Sequence, residues 1–434
     1  MRSLPTRLSV LSFVAVALAV GCGDDGSGGS GGSGAGGGSG GSGGGSNAAC
    51  AGIDTSACTV ALGPTDDDTT TLQTALIEAA SGDVVCLCPG TYSLTNEVSV
   101  TTPNLTIRGV GATREDVVLD FAGQTGGDDG LTATSDGFTV ENFSVKNSPG
   151  NGIVVTGADG VTFRNLKVSW DAGSVTDNGA YAVYPVRSSN VLIEDTEIVG
   201  AADAGAYVGQ STNIIVRNND VHGNVAGIEI ENSTDAEVYG NKAYDNAAGI
   251  LVFTLPNLEK KDGLRCEVHN NEIYENNRDN FAEPGTVVAA VPPGVGMLIL
   301  SADYTQAHDN TIHDNVSAGI VMVSFDTLAV LLPETQPDPL TDSNPENTYI
   351  YANTFMNNGT APNFPLDQIP VVPLEEVVWD GIEKTPGSGA LCLSMDPPTF
   401  RNINGIENIG TVANQSTDTT PFECDQTKLS PVEL

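Results

Sequence analysis

Two glutamates, Glu229 and Glu231, stand two residues apart in the run AGIEIENS, and the run returns 22 residues later as AGILVF with Leu251 and Phe253 in their places. Residues two apart on a strand share one face, with backbones about 7 Å apart. Carboxyl groups so placed can flank a glycosidic bond, one donating a proton and the other activating water, at the wider separation expected of inversion. Tyr181 and Tyr207 offer rings that could stack on sugars. Asp203, on the bend before Gly205, and Arg278-Asp279, in a later insertion, are supporting candidates. The plainer alternative is two solvated glutamates beside an apolar patch, in a chain carrying 55 Asp and Glu.

What must position these residues is a repeat. Val216–Asn219–Asn224, Val238–Asn241–Asn246, Val268–Asn271–Asn276, Ala307–Asn310–Asn315 and Ile350–Asn353–Asn358 each place two asparagines five apart. Between them recur Gly-apolar-x-apolar runs such as Gly205-Ala-Tyr-Val, Gly227-Ile-Glu-Ile, Gly249-Ile-Leu-Val and Gly296-Met-Leu-Ile. About 22 residues accommodate three short strands and three bends, one coil of a parallel β-helix. Asparagine tolerates the left-handed backbone of sharp bends, and stacked asparagines can hydrogen-bond along the axis. The asparagines are therefore framework rather than ligand contacts. TLQTALIEAA, with Leu72, Ala75, Leu76 and Ala79 on one helical face, is suited to plug the first coil.

Aligned on their glycines, the repeats give two outward columns. One runs Val154, Tyr181, Tyr207, Glu229, Leu251, Leu298, Val321, and the other Thr156, Val183, Gly209, Glu231, Phe253, Leu300, Val323. Beyond the glutamates both columns are apolar and require a cover. The insertions near 254–264, 277–294 and 324–347 are expected to supply it, since insertions on one face of a stacked-repeat fold often build the binding face. Two further columns hold Arg217, Tyr239, His269, His308, Tyr351 and His222, Tyr244, Tyr274, His313, Met356. His269 and His308 should be neighbours, but no third metal ligand aligns with them, and aromatic stacking explains the columns better. No metal site is expected.

Composition sets outer limits. A formal charge of −38, with 17 Lys and Arg, excludes phosphate-led nucleic-acid binding. It also disfavours anionic polysaccharides unless a divalent cation such as Ca²⁺ bridges the two, and no motif calls for that ion. Residues 1–21 have the layout of a secretory signal, and Ala19-Val20-Gly21-Cys22 resembles a bacterial lipobox that would acylate Cys22. Gly23 rather than Asp after that cysteine favours the outer membrane. Residues 22–48, almost wholly Gly and Ser after Cys22, would form a tether reaching about 25–30 Å. The β-helix is expected over 49–360 and a Pro-rich cap over 361–434. Apart from Cys22 there are seven cysteines. Two bridges are expected among Cys50, Cys58, Cys86 and Cys88, with Cys86 and Cys88 each reaching to Cys50 or Cys58. A third should join Cys392 to Cys424, leaving Cys266 unpaired. A four-cysteine zinc site fits the C-x7-C and C-x-C spacings poorly.

The stretch GDVVCLCPGTYSL…NLTIRGVGATREDVVLDFAG resembles the opening coils of pectin-lyase-like right-handed β-helices. DNGAYAVYPV, DAGAYVGQSTNIIVRNN, GILVFTLPNL, NRDNF and VVWDG…STDTTPFEC resemble a family of exported bacterial β-helix repeat proteins, many of them lipoproteins. That family has no established activity. The resemblance implies the same fold and, from frequent gene neighbourhood, an exported haem-c-type partner. The hydrolase set Asn-Thr-Asp, Asp-Asp, Gly-His-Gly and Arg-Ile-Lys is missing as a set, as is the Asp-Pro-His-Asp signature of uronate epimerases. Nor does a basic residue group with acids as a lyase requires. Three functions follow, in order: an envelope binding or scaffold module for a glycan or exported protein, a carbohydrate-active hydrolase or lyase, and a purely structural surface protein.

Overall fold

A computed structural model describes residues 48–434 except 334, 386 and 388. The expected signal (1–21), Cys22 and the tether apart from Ala48 lie outside the described residues. Three parallel sheets of 12, 11 and 10 strands wind around one core. The first sheet runs from Val60–Leu62 to Leu391–Leu393 and the second from Asn96–Val100 to Phe400–Asn402. The third runs from Gly90–Ser93 to Thr354–Met356. Each strand pairs with its counterpart one coil away, so every inward side chain sits on its equivalent: Ala206, Ile228, Ile250, Met297 and Ile320 form one such column. The helix outruns the boundary expected at 360, because Val377–Trp379, Leu391–Leu393 and Phe400–Asn402 extend the first two sheets.

Helix Asp68–Glu78 closes the N-terminal end. Asp67 caps it by accepting the Thr70 N–H, and Leu72 and Leu76 are buried over the first coil. Disulfides Cys50–Cys88 and Cys58–Cys86 fasten the segment before this helix to the coil beneath, and Cys392–Cys424 closes the other end. Cys266 is free and buried. Three bridges belong to an oxidising compartment, so the folded body is that of an exported protein. Reduction is expected to free the N-terminal plug first. A melt with reductant should show an early transition, which a variant lacking Cys50 and Cys58 should show without reductant too, because such bridges typically contribute about 2–4 kcal/mol.

The asparagines form two buried ladders. Asn219, Asn241, Asn271 and Asn310 each donate a side-chain N–H to the side-chain oxygen of the next, ending at Asn353, at 2.9–3.0 Å. Asn224, Asn246, Asn276, Asn315 and Asn358 repeat this at 3.0–3.1 Å. The left-handed backbone is adopted by the preceding residue instead, as at Asn218 (φ 55°), Asp245 (51°), Glu275 (50°) and Asp314 (56°). Bend and ladder are thus two tasks on adjacent positions, where one asparagine was expected to serve both.

Outside the first sheet, Tyr239, His269, His308 and Tyr351 stack ring on ring at 4.5–5.0 Å. Outside the third, His222, Tyr244, Tyr274 and His313 do so at 4.9–5.0 Å. Beyond Cys424 the chain runs back along the first sheet. Asp425 accepts the Tyr349 hydroxyl, Thr427 and Leu429 bond both ends of the Gln306 amide, and the Val432 N–H reaches Glu237.

Candidate functional site

The outer face of the second sheet carries the glutamates. Glu229 pairs with Tyr207 and Leu251 on the neighbouring coils, and Glu231 with Gly209 and Phe253, as the repeat alignment requires. One coil earlier the alignment slips. Val183 lies beside Ala206 and Tyr181 beside Ala204, so Tyr184, not Tyr181, occupies the column of Tyr207 and Glu229. Val183 points into the core, and Val186 takes its expected place beside Gly209. The cause is the loop at 171–180 that lengthens this turn. Gly179 belongs to that loop, packed against Gly150, and Ala182 stands where the other coils carry the strand glycine.

The slip adds a tyrosine without removing one. Tyr181, Tyr184 and Tyr207 form a three-ring cluster with centroids 4.5–5.0 Å apart. Tyr207 is buried and donates its hydroxyl to Glu231 Oε1 at 2.6 Å. Tyr181 and Tyr184 remain partly exposed, and the Tyr181 hydroxyl makes a long bond of 3.4 Å to Asp203 Oδ2. Gly209 makes this possible: a Cβ there would lie 2.4 Å from the Tyr207 hydroxyl and ring. Gly209→Ala is therefore expected to displace Tyr207 and break its bond to Glu231. A change in tyrosine ultraviolet absorption without loss of the far-ultraviolet strand signal would report it.

The glutamates are not solvated. Glu229 is 3% and Glu231 7% exposed, which excludes the plain surface reading. The first insertion is tied down at the end of their strand. Asn232, in left-handed backbone just after Glu231, donates to the Leu255 and Lys260 carbonyls and accepts the Leu255 N–H. Lys260 in turn donates to Ser211 O, Thr212 Oγ1 and Thr234 Oγ1, and burial lowers its amine to about 8. Further along, Leu251, Phe253, Leu298 and Leu300 join a second apolar core with Val288, Phe325, Leu328 and Leu366. Asp380 ties the third insertion down by accepting from the Ser324 N–H and the hydroxyls of Ser324 and Thr327.

Burial sets the electrostatics. Glu229 is pushed well above the usual carboxylate range, first by loss of solvent and then by the charges of Asp203 and Glu231. Burial also raises Glu231, opposed by hydrogen bonds from Tyr207 and Glu229, while Asp203 is pushed up to about 7 by burial and by Glu231. Glu229 and Glu231 hydrogen-bond each other, and Glu229 Oε2 has no partner. Two joined carboxyls, both raised by burial, have the makings of an acid–base pair, but one enclosed in the fold.

Arg278 and Asp279 do not join this group. Arg278 bonds the Asp245 carboxylate and carbonyl at a bend between the third and second sheets, and Asp279 is exposed. The residues that the alignment missed are Tyr184 and Lys260. The YxxY spacing in YAVYPV was the available signal for the first, and none marked the second.

The paired histidines acquire partners that no column predicted, because Glu237 and Glu267 lie in the adjacent column. One donor atom each from Glu237, Glu267 and His269 lie within 4.8 Å of one another. Both ring nitrogens of His308 face carboxylate oxygens, Glu267 Oε1 and Asp309 Oδ2, each at 2.8 Å. Burial works against its charge, but these bonds outweigh it and hold the ring above its ordinary value.

A family model described as a right handed beta helix region matches residues 130–259 and 174–332. With its three parallel sheets, the chain is a right-handed parallel β-helix. Among solved structures it is similar to the A-modules of the Azotobacter vinelandii mannuronan C-5 epimerases AlgE4 and AlgE6. Identities are 16% and 17%, covering 76% and 73% of this chain and 90% and 87% of theirs, with TM-scores of 0.46 and 0.47. An alginate lyase from a Paenibacillus species is 16% identical over 70% of this chain and 97% of its own, at 0.41. Similarity at this level transfers no residue of the site.

Proposed function

We propose that the protein is an exported β-helix that binds a neutral glycan at Tyr181, Tyr184 and Asp203. The observation behind this reading is the three-tyrosine cluster, with two rings partly exposed and the third locked by Glu231. Aromatic faces beside a hydrogen-bonding carboxyl suit sugar rings, and the charge of −38 turns away acidic ones. In this reading Cys22 carries a lipid that holds the body at the outer membrane, and an exported haem-c-type protein is the second partner.

The test is calorimetry with neutral oligosaccharides chosen from a glycan array. Tyr181→Ala and Tyr184→Ala should each weaken binding by about 3–10-fold, the magnitude of one aromatic contact. Unchanged affinity in both removes the reading. A second reading, hydrolysis, rests on the proton shared between Glu229 and Glu231. It requires turnover of the bound glycan that Glu229→Gln abolishes while binding persists. An inert surface protein remains if no glycan and no exported partner binds.

A further inference from the structure

The cover over the apolar end of the second sheet does not close completely. Between sheet and cover lies a cavity of about 70 Å³. Its floor is the outer face of the sheet, at Leu300, Val321 and Val378. Its roof comes from the second insertion at Val291, the third at Leu328 and the Pro-rich segment at Leu366. All six are buried. Other lining residues, Ala290, Leu331, Pro365 and Ile406, still meet solvent and mark the mouth. Next to two of these in the chain, Val330 and Phe364 are 58% and 64% exposed.

The lining is carbon nearly throughout. Its polar members are Thr327 and Asp380, and their bonds are already made. Asp380 Oδ2 accepts from the Ser324 N–H and hydroxyl and from the Thr327 hydroxyl, and its Oδ1 accepts the Ile382 N–H. No side-chain donor is left to hold a sugar hydroxyl or an anion, and a space of this kind stays free of water. Its walls forgo dispersion contacts that an apolar guest would restore. Size selects the guest. The space is about half of the roughly 150 Å³ apolar cavity that admits benzene, so it suits a few methylenes rather than a ring. Asp380 in the wall and the formal charge of −38 turn away an anionic head group.

We propose that this cavity takes the methyl end of an aliphatic chain whose uncharged head group stays outside the mouth. Such a guest fastens both insertions and the Pro-rich segment to the sheet at one point. The cavity shares no lining residue with the tyrosine cluster, so glycan binding and chain binding stand or fall separately.

Nuclear magnetic resonance of methyl-labelled, disulfide-intact protein, titrated with the linear alcohols from 1-butanol to 1-octanol, tests this. The expected result is saturable shifts at Val321, Leu328 and Leu366. Affinity should rise about 4-fold per methylene, the gain from burying one CH₂, until the chain outgrows the space. Val321→Met, which lengthens a floor side chain into the cavity, should weaken 1-hexanol by at least 10-fold. Leu328→Ala, which enlarges it, should admit benzene where the wild type does not. Absence of saturable shifts in the wild type would overturn the site whether or not either variant folds, as would a folded Val321→Met that binds like the wild type. Benzene or hexanoate bound by the wild type as tightly as 1-hexanol would overturn the assignment to an uncharged chain.

Discussion

Raising the pH from 5 to 8 will lower the melting temperature of the folded body, and Glu229→Gln will remove a large part of that loss. The sign follows from proton linkage. A carboxyl whose folded pKa lies above its unfolded value stabilises the fold fully below the unfolded value, and that contribution is lost as pH rises through the folded one. Asp203 moves from 3.8 to about 7, and Glu229 and Glu231 are raised with it, so the loss spans roughly pH 4.5 to 7 and beyond. The Asp203 shift alone corresponds to on the order of 2–4 kcal/mol. The amide introduced by Glu229→Gln can still donate an N–H to Glu231 but carries no proton to lose. Removing the carboxyl also lowers the repulsion felt by Glu231 and Asp203. Relative to wild type, the variant should retain about 2–5 °C more of its melting temperature at pH 8. Parallel pH profiles would show that the three carboxyls do not share their protons as described.

Asn246→Ala will destabilise the protein by about 3–5 kcal/mol, measured by urea unfolding. Asn246 accepts from both the backbone N–H and the side chain of Asn224, and it donates to Asn276 Oδ1 and the Val221 carbonyl. All of these are buried, and alanine removes all four bonds in a space closed to water, leaving the Asn224 backbone N–H without a partner. The preceding residue, Asp245, faces a different demand, since its φ of 51° favours a short polar side chain or glycine. Asp245→Gly should accordingly be tolerated where Asn246→Ala is not. A loss below 1 kcal/mol at Asn246 would mean that the ladder is ornamental.

These two positions also show what the sequence could and could not convey. Coil stacking repeats a side chain at a fixed spacing, so the asparagine ladders, the apolar columns and the order of the outer aromatic stacks could be read directly. The need for a cover over Leu251, Phe253 and Leu300 was legible because apolar side chains on an outer face must be buried somewhere. Register was legible only where the coil kept its length. The loop at 171–180 broke the count, and a slip of three residues exchanged the inner and outer sides of Val183 and Tyr184. Burial of Glu229 and Glu231 could not be read, because it depends on how insertions with no repeat of their own fold back. The same irregularity hid the meeting of Asp303 with Asp342 and Glu346, the last of them 43 residues away in the chain.

The segment after Cys424 alters how such a solenoid can come apart. A stack whose coils touch only their neighbours can fray from an end, each coil leaving at the cost of a single interface. Here the outermost coil holds Cys392, and the residues beyond its disulfide partner bond the coils of Tyr349, Gln306 and Glu237 in turn. The last coil thus cannot peel away alone, because the strand that would lift with it is laced to coils well inside the stack. The C-terminal third opens as one unit or stays shut.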